Sequence, residues 1–148
     1  MNYNRLIKIL ILFSVTFFSN ISIAGQHTNG LYTIHYSLLN SSFIQAETAN
    51  QYKIKRSKNI ALLNISIIKN IGSDNGIAVI GNIFGNASNQ LSQLKKLAFK
   101  EIKETDAIYY IATFPINNAE RVTIDIEVQP EKKGQLIPIK FKQQVYID

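Results

Sequence analysis

Four cations fall within six residues: Lys53, Lys55, Arg56 and Lys58. Arg56 carries the most information among them. The chain's only arginines are Arg5, Arg56 and Arg121, and lysine supplies the rest of its positive charge. A planar guanidinium grips a carboxylate or phosphate through two parallel hydrogen bonds, which an ammonium cannot imitate. The segment therefore offers an anion contact, to a lipid headgroup, a lipopolysaccharide phosphate or an acidic partner. The internal alternative pairs Arg56 with Glu101, Glu104 or Asp106 and pins the connector.

Other constellations are thinner. His27 and His35 are the only histidines and there is no Cys, whereas a zinc site takes about four His, Cys or carboxylate ligands. No metal, cofactor or catalytic set is expected. His35 belongs to the more polar face of its strand, and no Ser stands in a G-x-S-x-G elbow. Glu101 with Glu104, or Asp125 with Glu127, has the composition of a glycosidase acid–base pair. Strict alternation around Asp125 and Glu127 reads instead as a solvated strand face. Asp74-Asn75-Gly76 lacks the further carboxylates of a calcium loop and reads as a hairpin turn. Tyr109 and Tyr110 must face opposite sides of a sheet, so one of them is a candidate exposed aromatic. Tyr32, Tyr36 and Tyr146 combine an apolar body with a polar tip in the same way.

The elements that position these residues are short strands. Tyr32, Ile34, Tyr36 and Leu38 alternate with polar residues, which predicts a first strand ended by Asn40-Ser41-Ser42. Ser42 and Gln45 have capping-box spacing, so a helix of about two turns should follow, with Ala46, Ala49 and Tyr52 inward. Ile60 to Ile71 is apolar on both faces, as a central strand is. Ile77 to Gly85 should return as its hairpin partner, with Gly81 and Gly85 marking a bulge or a close backbone approach. Leu94 to Lys103 is ambiguous between helix and strand and is read as strand. Ile108 to Phe114 and the strictly alternating Val122 to Val128 are strands. The last strand lies in Gln135 to Asp148, and its Pro138 puts it at a sheet edge. About seven strands without βαβ spacing predict an all-β, antiparallel, immunoglobulin-like sandwich with one short helix after the first strand.

The start of the chain sets the compartment. Arg5 and Lys8 precede an apolar run from Ile9 to Phe18, and Ser22-Ile23-Ala24 offers small residues before Gly25. This is the pattern of a secretory signal peptide cleaved near Ala24/Gly25. Residues 25–148 are then a single domain with no lipid-anchor Cys and no disulfide. Losing Arg5 and Lys8 lowers the formal charge from +6 to about +4. Export excludes nucleic acid as a natural partner.

Several blocks are moderately specific. They are Tyr32-x-x-His35-Tyr36, Asn40-Ser41-Ser42-Phe43, Tyr52-x-Ile54-x-Arg56-Ser57-Lys58, Leu97-x-Phe99-x-Glu101-Ile102, Asp106 to Ala112, Val128-x-Pro130, and Phe141-x-Gln143-x-Val145-Tyr146-Ile147-Asp148. Together they resemble a family of uncharacterised exported domains from gamma-proteobacteria. The resemblance spans Thr33 to Asp148 and implies a periplasmic β-sandwich. It brings no activity, cofactor or site residue.

The resulting expectation is a periplasmic, non-enzymatic binding module that meets a protein partner of the cell envelope through a sheet edge, such as the last strand, or a loop face. The first alternative is a binder of anionic lipid or glycan that uses Lys53, Lys55, Arg56 and Lys58. The second is a small hydrolase built on His35 or the Glu101/Glu104 region.

Overall fold

Alternation of apolar and polar side chains organises two antiparallel sheets in the computed structural model, which describes residues 23–72 and 76–147. In chain order the elements are β1 (Ile23–Asn29), β2 (Tyr32–Asn40), a 3-10 turn (Ser41–Phe43), α1 (Ala46–Gln51), β3 (Ile60–Lys69) and β4 (Ile77–Ala78). There follow β5 (Gly81–Ser88), β6 (Leu94–Lys96), β7 (Lys100–Lys103), β8 (Ile108–Pro115), β9 (Glu120–Pro130) and β10 (Ile137–Val145). The first sheet runs β1-β2-β3-β8-β7, with β4 paired to the end of β3, and the second runs β10-β9-β5-β6. Apart from β1, β4 and β6, the order β2-β3-β8-β7 over β10-β9-β5 is that of a constant-type immunoglobulin sandwich.

β9 shows the governing pattern most clearly: Val122, Ile124, Ile126 and Val128 are buried, while Arg121, Asp125 and Glu127 are exposed. Its inner face meets Ile34 and Leu38 of β2 and Leu63, Ile65 and Ile67 of β3 in one continuous core. Each such side chain, fully buried, stabilises the fold by roughly 1.5–3 kcal/mol. The inner face of β3 is buried from Ala61 to Ile67, whereas on its outer face only Leu62 is buried and Ile60, Asn64, Ser66 and Ile68 are partly exposed. Leu62 points away from the main core and is buried together with Ala49 of α1 and Ile102 of β7. The short helix thus covers part of the outer face of the first sheet.

Four expectations are corrected. Residues 23–29 form an additional edge strand ahead of Tyr32, in register with β2 from Ile23↔Leu38 to Asn29↔Tyr32. Ile77 to Gly85 is not one hairpin partner of β3: only Ile77 and Ala78 pair with it, and from Gly81 onward the chain pairs with β9 in the other sheet. Leu94 to Lys103 likewise splits between the two sheets, because Leu97 and Phe99 turn into the core at the crossover. The helix starts at Ala46 behind Gln45, which makes no side-chain cap, so the Ser42/Gln45 capping box does not form. Asn40 caps the 3-10 turn instead, and Ala46 is exposed while Ala49 is buried. Of the expected signal peptide, residues 1–24, residues 1–22 lie outside the described residues, as do Asp74-Asn75.

Gly85 makes a close approach. It adopts φ +149, and a Cβ there would stand 2.2 Å from the Asp125 carbonyl oxygen and 2.7 Å from Ile126 Cα. Those are backbone atoms of the central strand and cannot step aside. Gly85→Ala should therefore cost about 3 kcal/mol of stability. In urea unfolding, the midpoint should drop with an unchanged slope, and a loss below about 0.5 kcal/mol would refute the packing argument.

Candidate functional site

Most acids that the sequence offers for chemistry are engaged within the domain. Tyr110 is buried in β8, accepts a hydrogen bond from Gly81 N–H (2.8 Å) and donates to Glu101 Oε2 (2.6 Å). Burial, then the Glu101 carboxylate, push the Tyr110 hydroxyl up to about 12. The Tyr110 hydroxyl, and then Lys103 Nζ at 3.2 Å, hold the Glu101 carboxyl below the ordinary range. Glu104 accepts the Tyr52 hydroxyl (2.5 Å). Asp125 pairs with Lys140 across the outer face of the second sheet (2.7 Å). Tyr109, on the opposite face from Tyr110, is half-buried.

Arg56 pairs with none of the three acids proposed for it. Its side chain is exposed, and Nη2 donates to the Ser42 carbonyl (3.0 Å). The two histidines do not converge. His27 is in register with inward-facing Ile34, and His35 with Gln26, so they occupy opposite faces of the β1–β2 pair. Among the described residues no group of three His, Asp or Glu is placed to hold a metal ion.

What does converge is one end of the sandwich, where β2, β5, β8 and β10 finish and β3, β6 and β9 begin. Asn40 stands at its centre. Its Oδ1 accepts from Ser42 N (3.0 Å), and its Nδ2 donates to the carbonyls of Lys58 (2.5 Å) and Tyr146 (3.5 Å). Ser41 is fully buried and exchanges hydrogen bonds with Ser57 N and O (3.0 and 3.1 Å). Ile116 N reaches Asn59 O (2.9 Å), and Ile147 N reaches Asn118 Oδ1 (2.9 Å). The 3-10 turn, the basic connector, the β8–β9 turn and the segment after β10 are thereby bonded together.

Glu120 fixes the remaining loop of this end. It is 6 % exposed and accepts from Asn117 N (3.0 Å), Asn117 Nδ2 (3.3 Å) and Asn89 Nδ2 (3.1 Å). Burial pushes its carboxyl up, but these hydrogen bonds outweigh burial and hold it below the ordinary range. With that acid inside, this end exposes apolar and cationic side chains beside neutral ones such as Asn59, Asn117 and Asn118. Phe43 is 53 % exposed, Tyr146 52 % and Leu91 78 %, and Lys55, Arg56, Lys58 and Arg121 are also exposed. Lys53 is exposed too, but it follows Tyr52 at the end of α1, whose carbonyl takes Lys100 Nζ (2.8 Å), and belongs to the helix-covered face.

Sequence reasoning found the basic segment and missed Phe43 as an exposed group. It also missed Glu120 and a second acid, Glu131, which accepts the Tyr32 hydroxyl and Lys69 Nζ (3.1 Å) at the other end of the sandwich. The Tyr32 hydroxyl, then Lys69, lower the Glu131 carboxyl. The run Asn117-Asn118-Ala119-Glu120 carried a signal, because an acid just after a turn can gather the turn's free N–H groups.

Residues 26–148 match the model of a domain of unknown function, DUF4426, and the chain belongs to that family. No curated protein matches. Among solved structures, the chain is similar to a DUF4426 family protein from Pseudomonas aeruginosa PAO1, with 26 % identity and a TM-score of 0.73. That match covers 84 % of this chain and 96 % of the other. It also shares its fold with FetP of uropathogenic Escherichia coli, produced recombinantly in the periplasm, with 10 % identity and a TM-score of 0.61. A copper-bound variant of FetP gives 11 % identity and a TM-score of 0.58. Each FetP match covers 84 % of this chain and 95 % of FetP.

The lowered Glu120 carboxyl has a defined linkage sign. The ordinary value, ~4.3, is that of the unfolded chain. The folded value lies below it, so the stabilisation is complete above the unfolded value and is lost as pH falls through the folded one. Glu120→Gln should cost about 1–2 kcal/mol at neutral pH, because Asn117 N–H loses a charged acceptor. The variant's stability should also fall less between about pH 5 and 3, because it has no Glu120 carboxylate to protonate. Urea unfolding at the two pH values checks this, and a pH dependence equal to the parent's would show that Glu120 contributes nothing to it.

Proposed function

We propose that this domain is an exported, non-enzymatic binding module of the cell envelope, and that it engages its partner through the loop-bearing end of the sandwich. One observation carries the reading: that end turns its acid inward and presents apolar and cationic side chains on loops locked together by Asn40, Ser41 and Glu120. A preorganised surface loses little conformational freedom on binding.

The other surface considered, the β10 edge, is less suited to accept a strand. It does lie at the edge of the second sheet, but it carries Pro138 and exposed Lys140 and Lys142. Proline and lysine are the residues that discourage strand addition at an edge. The loop face is therefore preferred. The basic, apolar and small-residue regions of residues 1–24 and the periplasmic production of FetP both support a periplasmic location.

The FetP variant binds copper. In this chain the two histidines lie on opposite faces of β1–β2, Cys is absent and the single Met is Met1. That donor set does not fit copper, so the binding reading is drawn without a metal. For a hydrolase, Glu101 is already engaged by Tyr110 and Lys103, and His35 is exposed on a strand face.

A photo-crosslinking residue at Phe43 or Tyr146, in the chain expressed with its own leader, tests the reading. Adducts are expected from these two positions and not from Lys142 on the second sheet. Equal labelling at all three positions, or none at any, would overturn it.

A further inference from the structure

We infer that the loop end docks on the surface of a bilayer rich in anionic phospholipid. The inference rests on the loop end being the binding surface and names its occupant. Three observations converge on this.

The first is exposed positive charge. Among the described residues three ion pairs form: Lys69 with Glu131, Lys103 with Glu101, and Lys140 with Asp125. All lie away from this end. Lys55, Arg56, Lys58 and Arg121 enter none of them, and Glu120 is buried under the asparagines that surround it. Their field is therefore directed outward, toward an anionic surface.

The second is the company these cations keep. Asn40 bonds the carbonyls of both Lys58 and Tyr146, and Arg56 is docked on the carbonyl of Ser42, the residue before Phe43. Two exposed aromatic residues, Phe43 and Tyr146, thus stand on segments bonded to those that carry Arg56 and Lys58. At a membrane interface a ring with an apolar body settles at headgroup depth, while neighbouring cations meet the phosphates. With one nitrogen held by Ser42, the guanidinium is fixed in orientation and its remaining N–H groups can serve a phosphate.

The third is shape. Phe43, Arg56, Lys58 and Tyr146 line none of the clefts found over the second sheet, beside Tyr32 and beside α1. A small ligand normally needs an enclosing pocket, whereas a bilayer needs only a projecting patch. An acidic protein would meet the same charges and rings, and vesicle binding separates it from a bilayer.

The test is vesicle co-sedimentation of the chain from Gly25 onward. The vesicles are phosphatidylethanolamine with phosphatidylglycerol, against phosphatidylcholine alone, at low and high salt. Binding is expected to the anionic vesicles only, and to weaken with salt as exposed charges are screened over a Debye length of about 8 Å near physiological ionic strength. Each surface cation removed should lower partitioning about fivefold, so Arg56→Ala with Lys58→Ala should lower it by more than about tenfold. Phe43→Ser should weaken binding while leaving its salt dependence in place. Lys142→Ala should leave binding unchanged, and circular dichroism verifies that each variant is folded. Equal binding to both vesicle types overturns the inference. So does absence of vesicle binding when the Phe43 crosslinker still captures a protein. That outcome assigns the loop end to an acidic protein and leaves the binding reading intact, whereas loss of both signals removes both.

Discussion

The inner face of β3 closes on the inner face of β9, and with no cysteine in the chain no covalent link assists that contact. Leu63, Ile65 and Ile67 on one side meet Ile124, Ile126 and Val128 on the other, all essentially inaccessible to solvent. Both strands are central in their sheets, so every other strand is held through one of these two. The arrangement explains why the crossovers are built as they are. At Gly81 a Cβ would stand 2.5 Å from Ile67 Cδ1 and 2.9 Å from the Gln129 carbonyl. At this crossover the close approach of the two sheets leaves no room for a side chain.

Apolar packing sets the two sheets face to face, and polar contacts fix where each sits over the other. Tyr110 of the first sheet holds the N–H of Gly81 of the second. Glu131 holds Tyr32 and Lys69 at one end. Gln143, buried in the core, donates to the Leu38 carbonyl from β10 (3.1 Å). A hydrogen bond of this kind adds only about 1 kcal/mol of net stability, but leaving its buried partner unpaired costs about 1–3 kcal/mol. Such contacts penalise every misregistered packing more than they reward the correct one. Of the carboxylates that looked available for acid–base work in the sequence, Glu101 is engaged by Tyr110 and Lys103, Glu104 by Tyr52 and Asp125 by Lys140, while Glu127 stays exposed.

The fold was legible where a strand keeps one environment along its length. β9 alternates without a fault, β3 is apolar on both sides, and Pro138 marks an edge; all three features are local. The segments 77–85 and 94–103 were misread because changing sheets leaves the alternation of side chains intact, and the period alone does not say which neighbour a strand has. β1 was missed because its outward residues are polar and Gly25 leaves room for the Tyr36 ring, so it shows no apolar period. The candidate site was legible as charge and illegible as shape. Lys53 to Lys58 is visible as a run, but Lys53 belongs to another face. Phe43 and Tyr146 become neighbours of Lys58 only when β2 and β10 finish at the same end of the sandwich.

The long β3, uncharged from Ile60 to Ile68, also bears on how the chain reaches this state. Its neighbours β2 and β8 come from either side of it in the sequence, and the Leu38–Gln143 contact between the two sheets joins residues 105 apart. Folds closed by such remote contacts assemble slowly, on the order of milliseconds to seconds. Throughout that interval Ile60 to Ile68 is a β-prone segment without a single charge, the composition that seeds intermolecular strand pairing. Lys58 and Lys69 stand immediately outside it. Charges in those positions act as gatekeepers against aggregation, so the cation that presents a face to the surroundings in the finished domain also keeps the unfinished chain from its neighbours.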